Sequence, residues 1–142
     1  MAPKPEEDSF LSQLGRTFFG AVAGFEKQTG VHHVRWRILQ KLEEGEPSSQ
    51  HALARRCNMG PASVSRILRE LEAMGHVTRE VDPGDSRQSL VALSAKGREF
   101  VREIAAKREQ YLRKTLKGLT SDDVIKLETA LRAIEKNTAR LR

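Results

Sequence analysis

Residues 49–80 read "SQHALARRCNMGPASVSRILRELEAMGHVTRE", and this segment predicts two short helices separated by a tight turn. The inner side of the first helix is predicted to consist of Ala52, Leu53 and Cys57. Ser48 or Ser49 can cap that helix by accepting a hydrogen bond from a free backbone N–H. The turn covers residues 58–60. Pro61 then suits the first position of the second helix, because its missing N–H would be unpaired there in any case.

The second helix has two chemically different faces. Apolar residues recur at intervals of three and four, and the buried side is predicted to consist of Val64, Ile67, Leu68 and Leu71. Gly75 is expected to end the helix as a left-handed cap. The opposite side carries Ala62, Arg66, Arg69 and Ala73, with Ser63 and Ser65 on its flanks. A helix of this kind, placed after a tight turn, can enter the DNA major groove.

The charge distribution favours a polyanionic partner for this segment. Residues 48–69 contain four arginines and no acidic residue, within a chain of net charge +6. Arg66 can donate two hydrogen bonds to a guanine edge, and the serines suit phosphate oxygens. The predicted DNA contacts on the two helices are Ser49, Gln50, Pro61, Ala62, Ser63, Ser65, Arg66 and Arg69. Arg55 and Arg56 can contact phosphates, or one of them can simply cover the protein surface. For Arg66 the alternative is a pair with Glu70 one turn later.

A β-hairpin is predicted directly after these helices. Apolar and polar residues alternate in "HVTREV" (76–81) and in "RQSLVALS" (87–94), with a Pro-Gly pair in the turn between them. A hairpin in this place is a wing, whose tip can reach the neighbouring minor groove of DNA. Arg87 is the side chain that such a tip needs, because a narrow A·T-rich groove concentrates negative potential. Asp85 is predicted to hold Arg87 or to order the turn, and is included in the DNA-binding set.

Amphipathic helices flank this central region. The first has apolar residues at Phe10, Leu11, Leu14, Phe18, Val22 and Phe25. Further helices are predicted over 31–44 and over 95–116, the latter capped by Ser94. Thr120 or Ser121 caps the last helix. Its apolar residues form a narrow seam of the kind found in coiled coils: Val124, Leu127, Leu131, Ile134, Thr138 and Leu141.

The composition bounds the class of protein. A chain of 142 residues suits one domain, and 38% apolar with 31% charged residues is an ordinary balance for a soluble protein. The sequence has no uninterrupted apolar run of the roughly 18 residues needed to cross a membrane. Its polar, acidic start does not resemble a secretory signal. The single cysteine fits a reducing compartment. We therefore expect a cytoplasmic protein without a membrane partner.

The chain resembles the MarR family of winged helix–turn–helix regulators, from about Phe10 to Leu141. The matching stretches are "VHHVRWRIL" (31–39), the segment 49–80 and "DPGDSRQSLVALSAKG" (82–97). The family's wing signature, Asp-x-Arg followed by Leu-Thr-x-x-Gly, is matched by Asp85-Ser86-Arg87 and by Leu93-Ser94-Ala95-Lys96-Gly97. Two positions depart from the family pattern: Ser94 replaces the usual Thr, and Gly60 stands where Ser or Asp commonly caps the recognition helix.

This resemblance implies a mainly α (α+β) winged helix–turn–helix fold with N- and C-terminal dimerisation helices. The expected divisions are 1–30 for the N-terminal arm and first dimerisation helix, 31–98 for the DNA-binding module, and 99–142 for the C-terminal dimerisation helices. It further implies a homodimer on a pseudo-palindromic operator of double-stranded DNA. Family members are mostly repressors that are released by a small aromatic carboxylate or phenol.

The resemblance also implies an effector pocket between the dimerisation helices and the winged module. Its candidate residues are Arg16, Phe19, His32, His33 and Trp36, since a cation can pair with a carboxylate while aromatic rings stack on the ligand. The alternatives are core packing for Trp36 and a surface helix start for the two histidines. We expect no metal and no cofactor, because adjacent residues point apart on a helix and no Cys or carboxylate cluster joins the histidines.

Three other classes of function fit the sequence less well. An enzyme is not expected, because the sequence shows neither a nucleophile with a base at a recognisable spacing nor a Gly-rich phosphate loop. A weakly specific architectural DNA-binding protein is an alternative to a regulator. Cys57 could act as a redox sensor, but its place on the inner side of a short helix favours a core cysteine.

Overall fold

The computed structural model describes residues 5–45 and 47–142. In this part of the chain it contains six helices and three strands. In chain order they are α1 (Pro5–Thr29), α2 (His33–Glu44), β1 (Ser48–Ser49), α3 (Gln50–Cys57), α4 (Pro61–Ala73), β2 (Val77–Asp82), β3 (Asp85–Leu93), α5 (Ala95–Thr115) and α6 (Ser121–Ala139). The winged helix–turn–helix arrangement, mostly helical with one small antiparallel sheet, is the fold class predicted from the sequence.

Helices α3 and α4 form the predicted pair around a tight turn. The Ser49 hydroxyl caps α3 by accepting a hydrogen bond from the Ala52 amide at 3.1 Å. Asn58 adopts a left-handed conformation in the turn, and α4 begins with Pro61 at its first position. The predicted buried side of α4 is confirmed: Val64, Ile67, Leu68 and Leu71 are all buried. In α3, however, Ala54 is buried, whereas Ala52 is only half-buried.

The sheet has three antiparallel strands in the order β1-β3-β2. The predicted hairpin is present, with Val77 opposite Leu93 and an irregularity in the register at Val81 and Asp82. The short strand β1, where Ser48 lies opposite Val91, was not predicted. Two serines carry no alternating pattern, so only their position beside β3 makes them a strand.

The start of α5 is joined tightly to the end of α4. The Ser94 hydroxyl accepts a hydrogen bond from the Gly97 amide at 2.9 Å, as predicted for a cap, and donates one to the Gly75 carbonyl at 2.5 Å. Gly75 has the predicted positive φ, 77°. A Cβ atom on Gly97 would lie 1.9 Å from the His76 carbonyl oxygen. The glycine of the wing signature therefore permits the close approach of helix and hairpin.

One hydrophobic core joins α2, α3, α4, the sheet and the first half of α5. Its fully buried side chains include Ile38, Leu39, Leu42, Leu53 and Leu68. The first and last helices contribute few side chains to this core. Of the apolar face predicted for α1, Phe10, Leu11 and Phe18 are exposed, Leu14 and Val22 are half-buried, and Phe25 reaches the core. Helix α6 contains no buried residue along its described length. Its start is well specified, because Thr120 and Asp123 form a reciprocal capping box.

None of the described helices combines the length and the apolar character that a membrane-crossing segment requires.

Candidate nucleic-acid interface

Helix α4 presents the small and basic face that the sequence predicted. Pro61, Ala62 and Ser63 are exposed in its first turn, and Ser65 is half-buried on the flank. The capping position is Gly60, which forms no side-chain capping bond. The first-turn amides are therefore not satisfied by a capping side chain, which suits an approaching phosphate oxygen.

Arg66 and Arg69 both lie on the exposed face of α4, but their surroundings differ. Arg66 Nη1 donates to Glu70 Oε1 at 3.1 Å, so the pairing that the sequence left open is present. Glu70 Oε2 in turn accepts from Arg35 Nη2 of helix α2 at 2.7 Å. This hydrogen bond from Arg35 is the main cause that holds the pKa of the Glu70 carboxyl below its ordinary value. Within the described part of the chain, Arg69 has no such partner.

The wing tip is ordered by the contact predicted between Asp85 and Arg87. Asp85 Oδ1 accepts hydrogen bonds from the Arg87 backbone amide at 3.0 Å and from Arg87 Nε at 3.2 Å. Asp82 Oδ1 also accepts from the Gly84 amide at 2.8 Å, which closes the turn. The Arg87 side chain is nevertheless 89% exposed. The Arg87 side chain therefore projects from the turn, and its two hydrogen bonds to Asp85 set the direction in which it leaves the backbone.

The structure brings four of the predicted DNA-contact residues to one surface depression. A cavity of about 300 Å³ lies between the wing and the first turns of α3 and α4, and Ser49, Gln50, Pro61 and Arg87 line it. Ser49 and Gln50 also have structural partners: the Ser49 hydroxyl caps α3, and Gln50 Oε1 accepts from Arg79 Nη1 at 2.9 Å. Ser63 and Arg66 line a different depression, between α2 and α4.

Sequence reasoning missed the part played by Arg79. Its guanidinium bonds to Gln50 Oε1 and, through Nε, to Glu72 Oε2 at 2.9 Å. One strand residue thus joins the start of α3 to the end of α4. The strand pattern did contain a signal for this role, because an arginine on the inward face of a hairpin requires polar partners.

Of the two arginines at the end of α3, one has a structural role. Arg56 Nη2 donates to the Lys41 carbonyl near the end of α2 at 2.7 Å, and it also lies 3.9 Å from Glu44 Oε2. Arg56 therefore joins α3 to α2. Arg55 is exposed and borders the cavity beside the helix–turn–helix turn, where a phosphate contact stays a prediction.

The five residues predicted for an effector pocket do not share one cavity in the single chain. His33 and Trp36 line a small cavity between α1, α2 and α5, of about 210 Å³, together with Arg37 and Arg108. His32 borders the cavity between α2 and α4 instead. The remaining two lie outside these cavities: Arg16 is exposed and bonded to Gln13, and Phe19 is 72% exposed.

Trp36 is at once a core residue and a cavity residue. It is 5% exposed and packs against Phe25, with ring centroids 6.3 Å apart. Its indole Nε1 is buried and has no hydrogen-bond partner among the described residues. Trp36 therefore combines a buried, unpartnered donor with a place in the lining of this cavity.

The expectation that His32 and His33 point apart is wrong. His32 precedes α2 as its capping residue with extended backbone angles (φ −61°, ψ 131°), so helical spacing does not govern its side chain. The two imidazole rings stack, with centroids 4.9 Å apart. A carboxylate also joins them, because Glu26 Oε1 lies 2.7 Å from His33 Nδ1 and 3.8 Å from His32 Nε2.

Cys57 occupies the core position that the sequence favoured. It is 1% exposed, and burial raises the pKa of its thiol above the ordinary value. The nearby cations, Arg37 first among them, lower that pKa but do not outweigh the effect of burial.

Comparisons with known proteins agree with this geometry. The model described as the MarR family matches residues 29–88. YdgJ of Bacillus subtilis (strain 168), named as an uncharacterized HTH-type transcriptional regulator, is 30% identical over 118 residues, which cover 83% of this chain and 72% of that protein.

Two solved structures show the same fold. Sco3205, a MarR family transcriptional regulator of Streptomyces coelicolor in complex with DNA, superposes with a TM-score of 0.87 at 22% identity, covering 96% of this chain and 93% of its own. BpsR of Bordetella bronchiseptica, whose DNA binding is regulated by 6-hydroxynicotinic acid, superposes with a TM-score of 0.79 at 23% identity, covering 89% and 98%. Proteins of this family are transcription regulators rather than enzymes. From the family match and the relationship to YdgJ, we conclude that the chain belongs to the MarR family of DNA-binding, HTH-type transcriptional regulators.

Proposed function

We propose that the protein is a dimeric repressor that binds a pseudo-palindromic operator and is released by a small aromatic acid or phenol. The observation that carries this proposal is the common orientation of the α4 face and the wing tip. Arg87 and Pro61 line one depression, so a single duplex can meet both elements at once. As a regulator of transcription, the protein would act on DNA in the cytoplasm.

The proposed dimer rests on the exposed apolar side chains of α1 and α6. They are Phe10, Leu11, Phe18 and Phe19 of α1 and Leu127 and Leu131 of α6, continued by Leu141 just after α6 ends. Apolar side chains that are exposed together on helix faces of a soluble protein mark interaction surfaces. A second copy related by a two-fold axis would cover the same surface on both chains, and it would place two winged modules at a fixed spacing. The helices of 1–30 and 99–142 are accordingly proposed as the dimerisation elements, around the module of 31–98.

The proposed DNA contacts divide into two kinds. Ser63, Ser65, Ala62 and Pro61 would meet the backbone and allow close approach of α4, whereas Arg66 and Arg69 would reach base edges or phosphates. Ser49 and Gln50 would contribute from the start of α3. Arg87 would enter the adjacent minor groove, with Asp85 fixing the direction of its side chain.

The proposed ligand site is the cavity between α1, α2 and α5. Trp36 supplies an unpartnered indole N–H, and His33, Arg37 and Arg108 supply groups that can pair with a carboxylate. Arg16 and Phe19 would join the site only if the partner chain closes around α1. The regulation of BpsR by 6-hydroxynicotinic acid, a hydroxylated aromatic acid, supports the class of ligand.

Footprinting tests the regulator proposal directly. The DNA upstream of the protein's own gene and of neighbouring genes is probed, first alone and then with a panel of aromatic acids. We expect a discrete two-fold footprint that one acid abolishes. An affinity for that site about 10³-fold or more above that for random DNA distinguishes a regulator from an architectural protein. Diffuse protection that no acid changes would contradict the proposal.

Sedimentation tests the dimer. Leu131→Asp places a charge in the apolar seam of α6, whereas Thr129→Asp places the same charge on the opposite side of that helix. We expect Leu131→Asp to shift the protein toward the monomer, because a carboxylate cannot be buried unpaired in an apolar interface. Thr129→Asp should remain dimeric. A wild-type protein that sediments as a monomer at micromolar concentration would refute the dimer.

A further inference from the structure

Three potential metal ligands converge where the first helix ends and the second begins. Glu26 lies in the last turn of α1, and His32 and His33 lie at the start of α2. The ligand atoms of these three side chains all lie within 4.8 Å of one another. Glu26 and His33 are each about one third exposed and His32 is more exposed, so a cation can reach them from solvent.

We propose that Glu26, His32 and His33 form a binding site for a divalent transition-metal ion of the Zn²⁺ class. Two imidazoles and one carboxylate make a donor set that suits Zn²⁺, Co²⁺ or Ni²⁺, whereas Mg²⁺ and Ca²⁺ prefer oxygen ligands. Three protein ligands leave a fourth position for water.

Two of the three distances between ligand atoms lie near those of a tetrahedral site, whereas the imidazole rings, now stacked at 28°, must turn so that their in-plane lone pairs meet at one ion. Metal–ligand bonds of about 2.0–2.1 Å place the ligand atoms of a tetrahedral site about 3.3 Å apart. Glu26 Oε1 is now 2.7 Å from His33 Nδ1 and 3.8 Å from His32 Nε2. The first pair must separate and the second must approach, each by about half an ångström. All three are side-chain atoms with rotatable bonds, so the backbone can keep its place.

The protons can be assigned at each ligand. The hydrogen bond from the His33 ring is the main cause that holds the pKa of the Glu26 carboxyl below its ordinary value, so this oxygen is available as an anion. His33 would bind through Nδ1, so the proton that Nδ1 now donates to Glu26 would have to leave it, and the neutral ring would carry its proton on Nε2. His32 would bind through Nε2, and its proton would then sit on Nδ1. That nitrogen now accepts a long hydrogen bond, 3.4 Å, from the Val34 amide, and metal binding would give up this contact.

Such an ion would join two parts of the molecule. Helix α1 carries the exposed apolar face proposed for dimerisation, whereas α2 packs directly into the winged module. A bound ion would fix the angle between them through three ligands instead of the present hydrogen bonds. The site itself does not depend on the proposed repressor function, since metal binding is measured without DNA.

The test uses the full-length, untagged protein after treatment with a chelator. Zn²⁺ affinity is measured by competition with a chromophoric chelator, and Co²⁺ is added separately to observe its visible absorption. We expect one equivalent per chain and a Co²⁺ spectrum of four-coordinate type. Glu26→Gln and His33→Gln should each weaken Zn²⁺ binding by about tenfold or more.

Two further variants separate loss of a ligand from loss of structure. His32→Ser removes an imidazole but keeps an oxygen that can cap α2, so it should fold normally and still bind Zn²⁺ at least about tenfold more weakly. His51→Gln removes an exposed imidazole on α3 and should leave the affinity unchanged. The proposal is overturned if the wild-type protein binds less than one equivalent, or if His32→Ser and His51→Gln bind Zn²⁺ alike.

Discussion

Arg66 is held by Glu70, one helical turn later in α4, with 3.1 Å between Nη1 and Oε1. The same carboxylate bonds to Arg35 of α2 at 2.7 Å, so one acidic side chain joins the recognition helix to the helix behind it. To approach a base edge, the Arg66 guanidinium must break its hydrogen bond to the Glu70 carboxylate or keep it while another of its nitrogens contacts the base. In the proposed complex, the position of α2 therefore bears on how freely Arg66 can reach DNA.

Arg66→Ala should weaken binding to the operator by about 1–3 kcal/mol and reduce the preference for its sequence. The reason is the loss of a two-donor side chain on the exposed face of α4. Fluorescence anisotropy with operator and random duplexes measures both effects. If both affinities fell equally, Arg66 would be a phosphate contact rather than a base contact.

Glu70→Gln should have the opposite effect on DNA affinity. The amide is close in shape but neutral, so it removes a negative charge near the DNA and frees Arg66. We expect slightly tighter binding, because an exposed ion pair contributes little and its loss leaves Arg66 free to move. The matched control is Glu109→Gln, which breaks a similar pair with Arg113 on α5. An equal gain in both variants would indicate a general effect of charge.

Arg87→Ala should weaken operator binding by about 1–3 kcal/mol and flatten the preference at flanking A·T positions. Asp85→Asn should lose less affinity, because this variant keeps the Arg87 cation and removes only the carboxylate that directs the Arg87 side chain. Arg113→Ala, an exposed arginine of α5, controls for net charge. Binding constants over a series of operators with altered flanks provide the measurement. Unchanged flank preference in Arg87→Ala would show that the wing tip does not enter the groove.

The sequence predicted those features that have a short-range signal. Ser94 and Thr120 cap helices within three residues of themselves, and the Asp85–Arg87 contact spans two residues. Each can be read from spacing alone, because the partners are neighbours in the chain. The buried stripe of α4 was predicted for the same reason.

Contacts between distant residues could not be predicted in this way. Arg35 and Glu70 are 35 residues apart, and Arg79 and Gln50 are 29 apart, so their pairing depends on how the elements pack. The error at His32 has a related cause. Placing the start of α2 two residues too early treated this side chain as helical, whereas its extended backbone turns the ring toward Glu26.

Cys57 is expected to be chemically inert in the folded protein. Its thiol is buried and its pKa is raised by burial, so little thiolate is available for reaction. A thiol-reactive dye should label the native protein slowly and the urea-unfolded protein fast. Peroxide should leave DNA binding unchanged. Loss of binding on oxidation, absent in Cys57→Ser, would restore the redox-sensor hypothesis.

Gly97→Ala should destabilise the protein by about 1–3 kcal/mol or more. The new methyl group would lie 1.9 Å from the His76 carbonyl oxygen, which belongs to the backbone and cannot rotate away. Urea unfolding at a fixed protein concentration gives the free energy of unfolding. Gly60→Ser is the control, because nothing lies within 4 Å of its added Cβ and the hydroxyl can cap α4. That variant should match or slightly exceed the wild type in stability.

His76 should make the free energy of unfolding depend on pH. Its ring is buried and stacks on Phe100 at 4.3 Å, and burial, with smaller effects from Lys96 and Arg35, lowers its pKa below the ordinary value. In the unfolded chain the imidazole takes up a proton near pH 6.5, while the folded state still resists protonation. Stability should therefore fall as the pH drops below about 6.5 and level off below the folded pKa.

His76→Phe tests this expectation, because it keeps an aromatic ring against Phe100 but cannot titrate. Urea unfolding of both proteins is followed at closely spaced pH values. The wild type should lose stability relative to the variant as the pH falls through this window. Asp123, whose pKa is lowered chiefly by its hydrogen bond with the Thr120 backbone, contributes only at lower pH, near the ordinary range of carboxyl groups. Parallel curves for the two proteins would show that His76 is protonated equally in the folded and unfolded states.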